Sequence, residues 1–164
     1  MKQLSLVLGF CLAFVVGTLV HTQAPPVQAA AASPATGWTI HIDAKKHFGA
    51  AHPNEIAHHY CKNVTGMIEC QIYDSDAPNA NLVAVETILQ PNVYHSLPAS
   101  EQPLWHYHRT EIPRVDAKII GMSAADQKKL IAAMMPTYGK VFVLYDPLST
   151  NNLPTGRPWV SIPR

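Results

Sequence analysis

The sequence predicts a single α+β domain: a mostly antiparallel sheet with one main helix near 124–135 and a short helical segment near 98–105. Three observations carry that prediction. Fourteen Pro and eight Gly in 164 residues argue against a helical bundle or coiled coil, while 48 % hydrophobic residues suffice for one core. Two β-leaning runs, Ile56 to Lys62 and Met67 to Asp74, flank the turn-forming stretch Asn63-Val64-Thr65-Gly66. One stretch has helical spacing with its own start and stop signals, from Ser123 to Pro136.

Residues 1–29 predict a secretory signal peptide. Met1-Lys2-Gln3 carries one positive charge, and Leu4 to Val20 then contains none. Val27-Gln28-Ala29 followed by Ala30 places small residues where cleavage needs them. The competing expectation is an uncleaved anchor, because this apolar run approaches the ~20 residues that span a bilayer. Export predicts a periplasmic or secreted protein; after cleavage no transmembrane span remains. Residues 30–37, rich in Ala, Pro, Ser and Thr, predict a flexible lead-in, so the domain is expected over 38–164.

Trp38 to Ile42 alternates apolar with polar residues and predicts a first strand, followed by a loop containing Lys45, Lys46, His47, Gly49 and His52-Pro53. The two runs of the hairpin come next. Asp74-Ser75-Asp76-Ala77-Pro78-Asn79 is a dense turn cluster, resembling calcium ligands only in composition because it lacks a closing glutamate. Leu82 to Gln90 is apolar on both parities, as a central strand covered on both faces requires. Pro91 stops it. Pro98 suits a first helical turn, and Ser100-Glu101 could serve the amides there. Ser123 three residues before Asp126 is a capping pattern, with Leu130, Ile131, Met134 and Met135 then at helical spacing. Val141 to Tyr145 and Trp159 to Ile162 predict the last strands.

Nearly balanced charge, Lys+Arg 12 against Asp+Glu 11, excludes a basic nucleic-acid surface. No Gly-x-Ser-x-Gly elbow or phosphate-cradling glycine loop is present, so hydrolase and nucleotide readings lack support. Nine His are the compositional oddity. If Thr65-Gly66 is a two-residue turn, Cys61 faces Cys70 directly, and the residues leave two states open: a disulfide or two buried thiols. The same register turns His59 to the core and His58 to water. Glu86, in the doubly covered strand, needs a partner or a raised pKa. His106 and His108 fall on one side of an extended segment, with Glu111 three residues on. Imidazoles plus a carboxylate suit Zn, Mn, Fe or Ni, so His59, Glu86, His106 and His108 are the candidate ligands of a divalent transition metal. A hydrogen-bonded core pair of His59 with Glu86 is the plainer alternative.

Several segments together resemble the oil-body-associated protein family, a domain of otherwise unknown function. They are His58-His59-Tyr60-Cys61, Glu69-Cys70-Gln71-Ile72-Tyr73-Asp74, Pro78-Asn79-Ala80-Asn81-Leu82, Val85-Glu86, Leu97-Pro98, Trp105-His106-Tyr107-His108 with Glu111, and Thr137-Tyr138-Gly139-Lys140. The resemblance covers about residues 46 to 163. It implies that the two histidine runs and the internal Glu belong together, with no catalytic role attached. Intracellular relatives that keep both cysteines weigh against a disulfide. The chain departs from the family in its leader and in Ile112-Pro113-Arg114, where the family has a Gly after Glu-Val. His106-x-His108 with Glu111 is also similar to half of the cupin metal motif, but the carboxylate comes too early and the flanking glycines are missing.

These readings lead to an exported cell-envelope protein of that family, binding or structural rather than catalytic, with a small molecule or lipid as partner. The alternatives are a metal-dependent enzyme using the His/Glu set and a peripheral lipid-interacting protein.

Overall fold

The structure, a computed structural model, describes residues 34–49 and 55–162. The expected signal peptide and the first residues of the lead-in lie outside the described residues. The elements are β1 (Ile40–Lys45), β2 (Ile56–Val64), β3 (Met67–Tyr73), β4 (Leu82–Leu89), α1 (Pro91–His95), β5 (His106–Tyr107), α2 (His108–Glu111), β6 (Lys118–Ile120), α3 (Ala124–Met134), β7 (Tyr138–Val143), α4 (Pro147–Thr150) and β8 (Trp159–Ser161), with a 3-10 turn at Gln102–Leu104. The strands form one sheet in the order β5-β7-β4-β3-β2-β1-β6, with β8 added on β7. Every pairing is antiparallel.

The hairpin has the expected register: the turn is Thr65-Gly66, Gly66 takes φ 82°, and Cys61 pairs with Cys70. A side chain at that φ would be strained, which is why glycine ends the turn. The two facing sulfurs are joined in a disulfide. β4 runs between β3 and β7, and its alternate residues Ala84, Glu86 and Ile88 pair with Ile72, Cys70 and Ile68 on one side and with Val143, Val141 and Gly139 on the other. Two apolar clusters occupy the covered face. One gathers Ala57, Ile72, Ala84, Val141 and Val143, and the other Ile42, Cys61, Cys70, Ile88, Ile119 and Met134. Glu86 lies between Ala84 of the first and Ile88 of the second.

Helix α3 starts as expected, with the Ser123 hydroxyl accepting from the Asp126 amide at 3.2 Å. The helical segment expected near 98–105 shrinks to the 3-10 turn at Gln102–Leu104. Pro103 brings no amide hydrogen to extend it, and the Glu101 carboxylate turns instead to Trp105 and Lys140. The first strand begins two residues later than expected, at Ile40, and the strand expected from Val141 begins at Tyr138. Pro91 ends β4 and also opens α1 as a first-turn proline. The segment through His106 to His108 is not extended throughout: β5 ends at Tyr107 and α2 begins at His108. β6 and the short helices α1, α2 and α4 had no periodic signal long enough to read.

Candidate functional site

Glu86 is 5 % exposed on the covered face of the sheet, where an unpaired carboxylate would be costly. Three imidazoles answer it. His106 Nε2 lies 3.2 Å and His108 Nε2 3.3 Å from Oε1, while His59 Nε2 lies 3.9 Å from Oε2. His59 comes from β2, His106 from β5 and His108 from the first position of α2. Helical spacing places Glu111 one turn on from His108, and its Oε2 approaches His106 Nε2 to 2.6 Å. His47, from the loop after β1, adds a fourth imidazole 3.6 Å from the other oxygen of Glu111.

The proton inventory of this cluster is informative. The single hydroxyl proton of Thr137 goes to the Met134 carbonyl at 2.7 Å, so Thr137 Oγ1 must accept from His108 Nδ1, also at 2.7 Å. His59 Nδ1 donates to the Ala57 carbonyl at 3.2 Å. In both rings Nε2 is therefore the nitrogen that faces Glu86, and that of His108 lies in hydrogen-bonding geometry to Oε1 at 3.3 Å. Within this cluster Glu111 Oε2, His106 Nδ1 and His47 Nε2 are buried without a hydrogen-bond partner among the described residues. The 2.6 Å approach of His106 to Glu111 is thus not aligned along an N–H.

Burial, the largest influence on His59, lowers its pKa to about 4, so its ring is neutral near neutral pH. Burial also pushes Glu86 upward, but hydrogen bonds and charge from His106 and His108 outweigh it and hold the carboxyl well below its usual range. For His106 burial works against charge, yet Glu111 and Glu86 overcome it and raise the pKa to about 9.

These residues line a half-open cavity of about 40 Å³, shared with Cys70, Ile88 and Met134. That is room for an ion with a water or two rather than for an organic molecule. The backbone is cut to fit: a β-carbon on Gly139 would land on Glu86 Oε1 and His106 Nε2. A groove of about 1210 Å³, lined among others by Lys45, Arg157 and Trp159, meets the cluster at His47, His106 and Glu111.

The candidate ligands His59, Glu86, His106 and His108 thus converge, with Glu111 beside them, while the Cys61–Cys70 disulfide lies beneath. His58 turns to the opposite face of β2 and hydrogen-bonds Asp43 at 2.8 Å. The turn cluster is no calcium loop, because the Asp74 carboxylate is committed to the amide and side chain of Asn81 at 2.9 and 2.7 Å. Sequence reasoning missed His47, Thr137 and Gly139. His47 was one more His in a loop, while Thr137 and Gly139 stood in a segment that carries the family resemblance without a site role attached.

A buried carboxylate ringed by imidazoles on an antiparallel sheet is an arrangement that could hold a divalent transition metal. The chain belongs to the family described as "protein of unknown function (DUF1264)", whose model matches residues 32–163. It is similar to oil body-associated protein 1B of Arabidopsis thaliana, 36 % identical over 103 residues, which is 62 % of this chain and 43 % of that protein. It is also similar to oil body-associated proteins 2B and 1A of Zea mays, at 32 % and 30 % identity over 63 % of this chain and 42 % and 44 % of theirs. The matched part of the chain therefore spans about two fifths of these relatives. No solved structure matches it. The relatives correct one expectation. They are named for oil bodies, not for the periplasm or the exterior, and the periplasmic or secreted location read from residues 1–29 is withdrawn. No helix among the described residues is long and apolar enough to cross a membrane.

Proposed function

We propose that this chain is a non-catalytic metal-binding domain of its family, holding one divalent transition metal with His59, Glu86, His106 and His108, and with Glu111 closing the set. The observation that carries the reading is the pair of Nε2 atoms, from His59 and His108, directed at one buried carboxylate by fixed partners on their Nδ1 atoms. With Nδ1 fixed as the donor, Nε2 is the nitrogen each ring can offer to a cation beside Glu86. An ion there would supply positive charge and Lewis acidity. The small volume of the space supports retention of an ion over turnover of an organic substrate. Metal analysis of the purified full chain tests this: one equivalent of Zn²⁺ fewer in Glu86→Gln and in His106→Ala than in the wild type supports it. A fold that keeps the same metal content in both variants overturns it.

A metal-dependent enzyme is the second reading, favoured by the groove that reaches His106 and Glu111. Lipid association is a companion role, suggested by the relatives' names and by exposed Leu148, Leu153, Trp159 and Ile162 within one C-terminal segment. Co-flotation of the chain with phospholipid-coated oil droplets at low salt supports it, and failure to float removes it.

A further inference from the structure

We infer that the opposite face of the sheet carries a second, solvent-accessible site for a divalent transition metal, built from His41, Asp43, His58 and Asp76. The inference does not rest on the buried site and uses none of its residues. Strand alternation supplies the ligands: Ile42 and Ala44 of β1 face the buried cavity, so His41 and Asp43 between and beside them face outward. The consecutive residues His58 and His59 of β2 deliver one imidazole to each face. β1 pairs with β2 so that His41 stands opposite Tyr60 and Asp43 opposite His58. The turn after β3 then brings in Asp76.

Four ligand atoms close a ring. His41 Nε2 lies 3.0 Å from Asp43 Oδ1 and 3.2 Å from Asp76 Oδ1, and His58 Nδ1 lies 2.8 and 3.1 Å from the same two oxygens. All four atoms lie within 4.8 Å of one another. A ring with edges near 3.0 Å has its centre about 2.1 Å from each corner if flat and about 1.8 Å if folded toward a tetrahedron, which brackets the bond lengths of nitrogen and oxygen ligands to zinc within ~0.2 Å.

Two further observations point to a cation. His41 Nε2 is buried and, among the described residues, has no hydrogen-bond partner, although two carboxylate oxygens stand within 3.2 Å of it. It therefore lies near them without the alignment an N–H would give. Asp76 is also held in place from outside the ring, since the Tyr60 hydroxyl donates to Asp76 Oδ1 at 2.8 Å and the Tyr60 ring stacks on His41 at 4.4 Å. Such outer contacts orient ligands in metal centres. Access is open, because the Asp76 side chain is 46 % exposed. Two imidazoles with two carboxylates match a borderline ion such as Zn²⁺, Co²⁺ or Ni²⁺ better than Ca²⁺, which prefers oxygen ligands alone.

The test is metal content of the full chain after chelator treatment and equilibration with Zn²⁺ near neutral pH, with circular dichroism reporting the fold. Two equivalents are expected in the wild type and one each in Asp76→Asn and Glu86→Gln, with none in the double variant. If the wild type holds one ion that Asp76→Asn loses and Glu86→Gln keeps, the outer site stands and the buried reading falls. Zn²⁺ content unchanged in both Asp76→Asn and Asp43→Asn overturns the outer site and leaves the cluster as a set of His–Asp ion pairs.

Discussion

Thr137 decides which nitrogen of His108 faces Glu86. Its hydroxyl hands its proton to the Met134 carbonyl and receives the one on His108 Nδ1, both at 2.7 Å, so Nε2 is left to the carboxylate. Removing the hydroxyl frees the ring to turn. Thr137→Val is expected to weaken Zn²⁺ binding by about 10–100-fold, and Thr137→Ser to keep it near wild type. Competition titration against a chromogenic chelator measures both; equal affinities in the two variants would remove the role assigned to Thr137.

Gly139 is needed for space rather than for backbone freedom. Its β-carbon position is occupied by Glu86 Oε1 and His106 Nε2. Gly139→Ala must displace both groups, costing about 1–3 kcal/mol as overpacking does in other cores. Urea denaturation of metal-free protein should register that loss, and metal analysis of the Zn²⁺-equilibrated protein the loss of the buried ion. A variant as stable as wild type contradicts the crowding.

The metal-free protein should be most stable near pH 6.5. His59 has its pKa depressed to about 4, so the unfolded chain binds more protons between 4 and its ordinary 6.5, and stability falls with acid there. Glu86, held below its ordinary 4.5, adds to the acid loss as pH falls further. His106, raised to about 9, stabilises fully below 6.5 and loses that contribution as pH rises through 9. Thermal melts across pH 4 to 9 in chelator read both limbs. A stability that keeps rising from pH 6.5 to 9 contradicts the pairing of His106 with Glu86 and Glu111.

Metal reverses the alkaline limb. A ligating His106 must surrender its proton, so Zn²⁺ affinity should climb with pH up to about 9, by at most about tenfold per pH unit for one displaced proton. Calorimetric titration in buffers of different ionisation heat counts that proton. No proton release at pH 7 rules His106 out as a ligand.

The Cys61–Cys70 disulfide closes a loop with a sequence separation of only 9. Chain entropy limits its stabilisation to about 2–3 kcal/mol. Cys61→Ala with Cys70→Ala should therefore lower the unfolding free energy by about that amount and leave the fold in place. Intact mass should show the wild type two daltons below the reduced form.

Much of the sheet was legible because its cues are local. Thr65-Gly66 placed Cys61 opposite Cys70 and sent His58 and His59 to different faces. The doubly apolar run around Glu86 marked a central strand, and Ser123 with Asp126 marked the start of α3. The short elements were not legible. A helix of four residues such as α2 has no periodicity to detect, so alternation brought His106 and His108 to one side through an extended segment that the chain does not form. The strand partner of β7 and the place of β6 beside β1 depend on contacts between distant segments.

Alternation and composition alone determined that Glu86 is buried, that it needs a partner, and that four of the nearby side chains are metal-ligand types. Folding decided the rest. Only the pairing of β4 with β7, and of β7 with β5, brings His106 and His108 onto Glu86, and only the return of the first loop adds His47. The physical reason is range: side-chain direction along a strand follows from neighbouring residues, whereas a shared site follows from packing that no neighbouring residue specifies.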